Sequence, residues 1–286
     1  MSQRIPLYYW GGGASNFGDE LSPYIVEKLS GKKIYYRKPS STGRGGMTLF
    51  AVGSLLKYDV LHSASIIWGT GTLTSKSLTK EPLKIFPLRK PIQRALQAIL
   101  NPRAKICAVR GPKTRSLIQK QGFDCPDVYG DPAVLLPKIY TPKPKKKVTV
   151  GVIFHIYQNI NFITTLKKSG LSVIPIVRDG YREIEDFIDE VTSCDVIFSA
   201  TLHGLITAQA YGIPAQWIRI PEQPIHDEDQ HKFIDYFLGA NQDIQTPLEF
   251  SNAEEFIDRI RTFEPTPIRP LDLVQERLYQ SFPFLD

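Results

Sequence analysis

The chain has 286 residues, 42% of them hydrophobic, and 35 Lys and Arg against 29 Asp and Glu give a formal net charge of +6. That length suggests about two domains and that apolar content supports buried cores, which excludes wholesale disorder. No apolar run approaches the roughly 20 residues of a bilayer span, and the residues before Gly11 are too few for a secretory apolar segment. Three widely spaced cysteines, Cys107, Cys125 and Cys194, fit neither a disulfide framework nor a zinc site, so the expectation is a soluble cytoplasmic protein.

The mild total charge conceals a division. Residues 1–147 hold 25 basic and 8 acidic side chains, or +17, whereas residues 148–286 hold 10 and 21, or −11. The first half is therefore expected to face anionic partners.

In chain order, short apolar runs alternate with helical patterns. Ile5–Trp10 predicts a strand, Gly11–Phe17 a loop and Glu20–Leu29 a helix. Ile34–Arg37, Leu49–Val52, Ser65–Trp68 and Lys105–Val109 predict further strands, the last followed by Gly111-Pro112 and a helix over Thr114–Gln121. Tyr129-Gly130-Asp131-Pro132 has turn chemistry. The stretch 141–147 holds two prolines, four lysines and no apolar residue, and is assigned as a linker between domains at 1–140 and 148–286. Val148–Phe154, Leu171–Val177, Val196–Ser199 and Ala215–Ile220 then predict strands, with helices over Ile184–Val191 and Thr201–Tyr211. The pattern is α/β: two Rossmann-like, doubly wound domains facing a cleft, with ligands expected at the carboxyl ends of strands.

Four strand-to-helix loops carry the candidate chemistry. Gly11–Asp19 lacks the Lys-Ser/Thr of a P-loop, and Tyr35-Tyr36-Arg37 lacks an acidic ribose ligand, so neither nucleotide fingerprint fits. It reads as an anion-binding loop that includes Asn16, or as a tight turn capped by Asp19 or Ser22. Gly69-Thr70-Gly71 would line the cleft with a hydroxyl and backbone N–H groups. Arg110, freed by Gly111, and Lys113 suit a carboxylate or phosphate, the alternative being a surface Arg beside a turn. Ser199-Ala200-Thr201-Leu202-His203-Gly204 puts His203 in the first turn of a helix, where the positive helix end favours a neutral imidazole suited to proton transfer. The alternative there is a packed N-terminal histidine. His155, at a strand end, is a further candidate, while His62, His226 and His231 are assigned to the surface.

In their order and spacing, five features resemble the polysaccharide pyruvyl transferase family over about residues 5–240. They are Asn16-Phe17-Gly18-Asp19-Glu20-Leu21, the Gly69–Gly71 loop, Val109-Arg110-Gly111-Pro112, Gly130-Asp131-Pro132, and Leu202-His203-Gly204 with Ala210-Tyr211-Gly212-Ile213-Pro214. The resemblance implies a glycosyltransferase-B-like fold. It also implies transfer of the enolpyruvyl unit of phosphoenolpyruvate onto two sugar hydroxyls, giving a cyclic pyruvate ketal and phosphate. Phosphoenolpyruvate is then a donor substrate, no cofactor is expected, and the acceptor is a sugar of the kind often built on a lipid diphosphate. Several relatives carry Arg where this chain has Thr201, and Arg178, then Arg219, are the substitutes. On this reading Arg110 and Lys113 hold the donor with backbone amides near Ser199 and Thr201. His203 protonates the methylene carbon, and Asp19 or Asp131 serves as base. No metal-ligand cluster is evident, so no metal is expected.

Residues 84–105 carry six basic and no acidic side chains, and Ile92, Ala95, Leu96, Ile99 and Leu100 form one apolar face. This reads as a helix for peripheral membrane contact or as an ordinary helix covering the first sheet. Two other functions stay open. A nucleotide-sugar glycosyltransferase would recruit Glu222, Asp227, Glu228 or Asp229. A nucleic-acid-binding module is disfavoured by the acidic second half and by aromatics that do not interleave with Lys and Arg, so no nucleic-acid partner is expected.

Overall fold

The computed structural model describes residues 4–10, 16–40, 46–79, 104–143, 147–154, 160–178, 180–219 and 228–285. His155, His226 and most of the basic stretch lie outside the described residues.

Two five-stranded parallel sheets make up the core. The first has the order β2-β1-β3-β4-β5 from β1 (Ile5–Tyr8), β2 (Ile34–Tyr36), β3 (Thr48–Phe50), β4 (Ser65–Trp68) and β5 (Lys105–Ala108). The second has the order β10-β9-β8-β6-β7 from β6 (Val148–Phe154), β7 (Ser172–Pro175), β8 (Cys194–Ser199), β9 (Ala215–Arg219) and β10 (Leu248–Glu249). Within each half the order is the same doubly wound one, and strand direction reverses its winding between β1 and β3 and between β6 and β8. This is the Rossmann-like, glycosyltransferase-B-like architecture expected from the alternation of apolar runs. Ligands in such sheets bind beyond the carboxyl ends of strands at those two switch points.

Helices cover the sheets: α1 (Phe17–Ser30), α2 (Tyr58–Leu61), α3 (Pro112–Lys120) and α4 (Leu136–Ile139) in the first half. The second half adds α5 (Ile160–Lys168), α6 (Gly180–Thr192), α7 (Leu202–Ala210), α8 (Glu228–Gly239), α9 (Ala253–Arg261) and α10 (Asp272–Gln280). Strand β1 ends at Tyr8 and β7 at Pro175, each two residues short of the expected end. The chain has by then left the ladder to make contacts across the seam: Asn16 bridges Val177, and the Phe17 N–H donates to the Ile176 carbonyl at 2.9 Å.

One hydrophobic cluster runs through both halves, with Phe17 of α1 against Phe187 of α6 at 4.0 Å between ring centroids. The chain returns to the first sheet at its end. The buried Trp68 indole N–H donates to the Leu278 carbonyl at 3.0 Å, and its ring meets Phe282. Among the described residues no helix is long and apolar enough to cross a membrane.

Helix α8 approaches the first half at backbone distance. A methyl at Gly111 would stand 1.9 Å from the Asp235 carbonyl oxygen, and one at Gly239 would stand 2.1 Å from the Arg110 carbonyl oxygen. Gly111→Ala is therefore expected to force α8 outward and cost about 1–3 kcal/mol by overpacking. Urea denaturation measures this, and a variant as stable as the parent would show the contact to be soft.

Candidate active site

The site forms where three N-terminal turns meet. Asn16 caps α1, its Oδ1 accepting from the Gly18 N–H at 3.0 Å. Thr201 caps α7, its Oγ1 accepting from the Gly204 N–H at 3.2 Å. Asp131 caps a 3-10 turn at Pro132–Leu135, its Oδ1 accepting from the Ala133 N–H at 3.1 Å. Short polar side chains are the residues that satisfy the free N–H groups of helix starts. Each cap here follows the carboxyl end of a strand or bridge.

His203, on the first turn of α7, lies across this junction. A methyl added at Gly18 would fall 2.1 Å from its Nδ1, so the imidazole edge occupies the space that glycine leaves on α1. Its Nε2 faces Asp131 Oδ2 at 3.7 Å, with the Asp131 side chain fully buried and the imidazole one-fifth exposed. The separation is too long for a hydrogen bond. Among the described residues, three buried side-chain polar atoms have no hydrogen-bond partner: His203 Nε2, Asp131 Oδ2 and Arg178 Nε. All three belong to residues singled out from the sequence. Buried polar atoms are almost always paired, so three orphans in residues chosen for chemistry point to a ligand. Asp19, one turn into α1, is half-buried, and burial raises its carboxyl above the ordinary value while nearby His203 offsets part of the rise.

The expected anion clamp is differently employed. Arg110 is wholly buried in a 3.2 Å ion pair with Asp235 of α8, and it also donates to Ser54 Oγ at 2.7 Å and the Thr72 carbonyl at 2.6 Å. Asp235 in turn accepts from the Thr114 N–H at 3.0 Å and its hydroxyl at 2.6 Å. This corrects the reading of Arg110 as a free cation in the cleft: it locks α8 to the first half. Lys113 sits on the first turn of α3 with this network, where it adds to the electrostatics of His231.

Gly69 and Gly71 are likewise spacers. Gly69 has φ of +81°, and a methyl there would stand 2.4 Å from Pro132 Cδ; a methyl at Gly71 would stand 2.4 Å from the Arg110 guanidinium carbon. The Thr70 hydroxyl donates to the Gly53 carbonyl at 2.7 Å. Ser199 holds the α7 cap, its hydroxyl donating to the Thr201 carbonyl at 2.8 Å and accepting from the Thr201 N–H at 3.1 Å. Arg178 pairs with Glu190 at 2.8 Å and lies over the Phe187 ring, keeping Nε unpartnered. Arg219 pairs with Glu249 at the far edge of the second sheet. The side chains of Glu222, Asp227, Glu228 and Asp229 lie outside the described ones.

Two histidines assigned to the surface are not there. His231 is partly buried in the seam with its Nε2 2.8 Å from Thr72 Oγ1, and that burial lowers its pKa. His62 is partly buried between the rings of Tyr58 and Phe123. The sequence reading also missed Asp235. Its signal is a lone carboxylate among Phe233, Tyr236 and Phe237 on a buried helix face, a position that demands a cation.

The two doubly wound sheets and the junction between them define a Rossmann-like, glycosyltransferase-B-like architecture. Residues 4–220 match the polysaccharide pyruvyl transferase family, and the chain belongs to that family. It is similar to an uncharacterised protein of Acanthamoeba polyphaga mimivirus, 24% identical over 234 residues that cover 80% of this chain and 72% of the relative. A solved structure, that of a functionally uncharacterised protein of Klebsiella pneumoniae subsp. pneumoniae, shares the fold with a TM-score of 0.50 at 12% identity. That match covers 87% of this chain and 93% of the other.

Removing one member of a buried ion pair leaves an uncompensated charge. Arg110→Ala should cost about 3–5 kcal/mol of unfolding free energy. A loss below about 1 kcal/mol, the scale of an exposed pair, would show that the lock carries little of the seam.

Proposed function

We propose that this chain transfers the pyruvyl unit of phosphoenolpyruvate onto two hydroxyls of a sugar acceptor, with His203 as the proton donor and Asp131 as its counter-charge. The carrying observation is the set of three unpartnered buried atoms, two of which face each other across 3.7 Å.

In this reading the protonated imidazole delivers a proton to the methylene carbon, and the positive charge left at C2 is taken up by a sugar hydroxyl. Phosphate then departs with its bonding electron pair, and the second hydroxyl closes the ketal. One hydroxyl proton passes through Asp19 to restore the His203 imidazolium, and the other leaves on phosphate. The buried Asp131 carboxylate stabilises the imidazolium and fixes its orientation, while its second oxygen keeps the turn capped. The donor's anionic groups are held by the converging starts of α1 and α7 and by Arg178. Arg178 takes the role first given to Arg110. Asp19 lies beside His203 as the base toward the acceptor. The acceptor sugar is presented on a lipid diphosphate at the cytoplasmic face of a membrane, which suits the +17 charge of the first half.

His203→Ala should lower phosphate release by about 10²–10⁴-fold, the ordinary worth of general acid–base catalysis. Asp131→Asn, which preserves the cap oxygen, should lower kcat with little change in donor KM. Turnover within a few-fold of the parent for His203→Ala would end the assignment.

Burial raises the Asp19 pKa, so its neutral form persists to higher pH than an ordinary carboxyl's. As a base it must be ionised, and the acid limb of the rate profile should lie above the usual carboxylate range and vanish in Asp19→Asn. For stability the sign is opposite. A raised folded-state pKa favours folding at low pH, and that contribution is lost as pH rises through the raised value. Asp19→Asn should therefore gain stability relative to the parent above it. Parallel pH profiles for the two proteins would remove Asp19 from the reaction.

A further inference from the structure

At the far end of α7 from His203 lies a cavity of about 400 Å³, bounded by the last turn of α7, the turn that follows it and residues 268–275 at the start of α10. That volume falls in the range of ligand-binding clefts, roughly 300–1,000 Å³. Much of the wall is stiff. Ala210, Gly212, Pro214 and Pro270 line it, and these residue types lose no side-chain freedom when a ligand settles against them. The polar groups on the wall are held too. Gln209, 4% exposed, accepts the Tyr236 hydroxyl at 2.8 Å through its amide oxygen, which leaves its amide nitrogen as a donor edge. Gln275 is engaged the other way round, its amide nitrogen donating to the Val134 carbonyl at 2.8 Å and its oxygen left as an acceptor. Arg269 is fixed by Gln242, which accepts from its backbone N–H and donates to its carbonyl, each at 3.0 Å.

We propose that this cavity is a second binding site, separate from the junction at His203, for a neutral pyranose. Charge selects the ligand class. The Arg269 guanidinium is already paired with Asp243, and Asp272 adds a carboxylate to the wall, so no spare positive charge is offered to an anion. A metal ion would find a single carboxylate there, and among the described residues no group of three or more His, Cys, Asp and Glu could hold one. An apolar ligand would leave the buried Gln209 amide unpaired. What fits is a ligand whose groups donate as well as accept, as sugar hydroxyls do. One hydroxyl can accept from Gln209 and others donate to Gln275 and Asp272, while C–H portions of the ring meet Pro214, Pro270 and Ile268. Gln209 stands six residues beyond His203 on α7, about 9 Å along the axis. It also ties the cavity to the reaction site, because the buried Tyr236 hydroxyl that it accepts is close enough to Asp131 to feel its charge. Such a site is independent of the reaction proposed above.

The test is saturation-transfer NMR with methyl α-D-glucopyranoside on the full chain and on Ala210→Phe, Asp272→Ala and His203→Ala, with circular dichroism to confirm that each is folded. Ala210→Phe fills the cavity and removes no hydrogen-bonding group. Asp272 is exposed, so its replacement decides the matter even where the larger side chain is not tolerated. Transfer to the ring C–H protons is expected in the parent and in His203→Ala. Binding should fall about tenfold in Asp272→Ala, the scale of a hydrogen bond to a charged group, and be lost in Ala210→Phe. Absence of transfer in the parent, or parent-like binding in Asp272→Ala, overturns the site. Binding lost in His203→Ala and kept in Ala210→Phe also overturns it, since the sugar then sits at the junction. Displacement of the sugar by inorganic phosphate would show that the cavity takes anions and would overturn the neutral class.

Discussion

A carboxylate without solvent, Asp235, governs how the two halves of this protein meet. A buried charge must find its counter-charge or destabilise the fold by several kcal/mol, and Asp235 finds Arg110 at 3.2 Å. That requirement admits one register of α8 on the first half, enforced by backbone contacts at Gly111 and Gly239. The same helix continues the linkage inward. The Tyr236 hydroxyl donates to Gln209 of α7 at 2.8 Å, and Phe233 stacks on Trp217 of β9 at 4.2 Å. The position of α7, and so of His203, is thereby tied to Arg110 in the other half.

From that registration the site follows. Helix α7 brings its first turn against the first turn of α1, where glycine at position 18 leaves room for an imidazole. The 3-10 turn after Asp131 packs beneath α7 and supplies the facing carboxylate. Each sheet contributes the carboxyl end beside its switch point, so the seam gathers helix starts and two titratable groups from distant parts of the chain. The motif residues divide accordingly. Gly69, Gly71, Arg110 and Gly111 build the seam, Asn16, Gly18, Ser199 and Thr201 seat the histidine, and His203, Asp131 and Arg178 each keep a buried polar atom without a hydrogen-bond partner among the described residues.

The fold was legible in the sequence because parallel strands buried on both faces read as short apolar runs. His203 and Asp131 were legible as residues at strand ends. Their pairing was not, since 72 residues separate them and only the docking of the halves makes them neighbours. Arg110 misled for a physical reason: an arginine beside glycine at a strand end looks the same whether it awaits an anion or already holds Asp235 from 125 residues away. His231 misled likewise, because polar sequence neighbours do not reveal a partner such as Thr72 across the seam.

In the proposed reaction the unpartnered atoms of His203, Asp131 and Arg178 surround the donor. The decisive measurement is a crystal structure with phosphoenolpyruvate bound. The expected complex has the methylene carbon within contact of His203 Nε2, Asp131 Oδ2 still beside the imidazole as its counter-charge, and an anionic group of the donor on Arg178 Nε. Phosphoenolpyruvate bound elsewhere, with the 3.7 Å gap and the three orphan atoms unchanged, would contradict it.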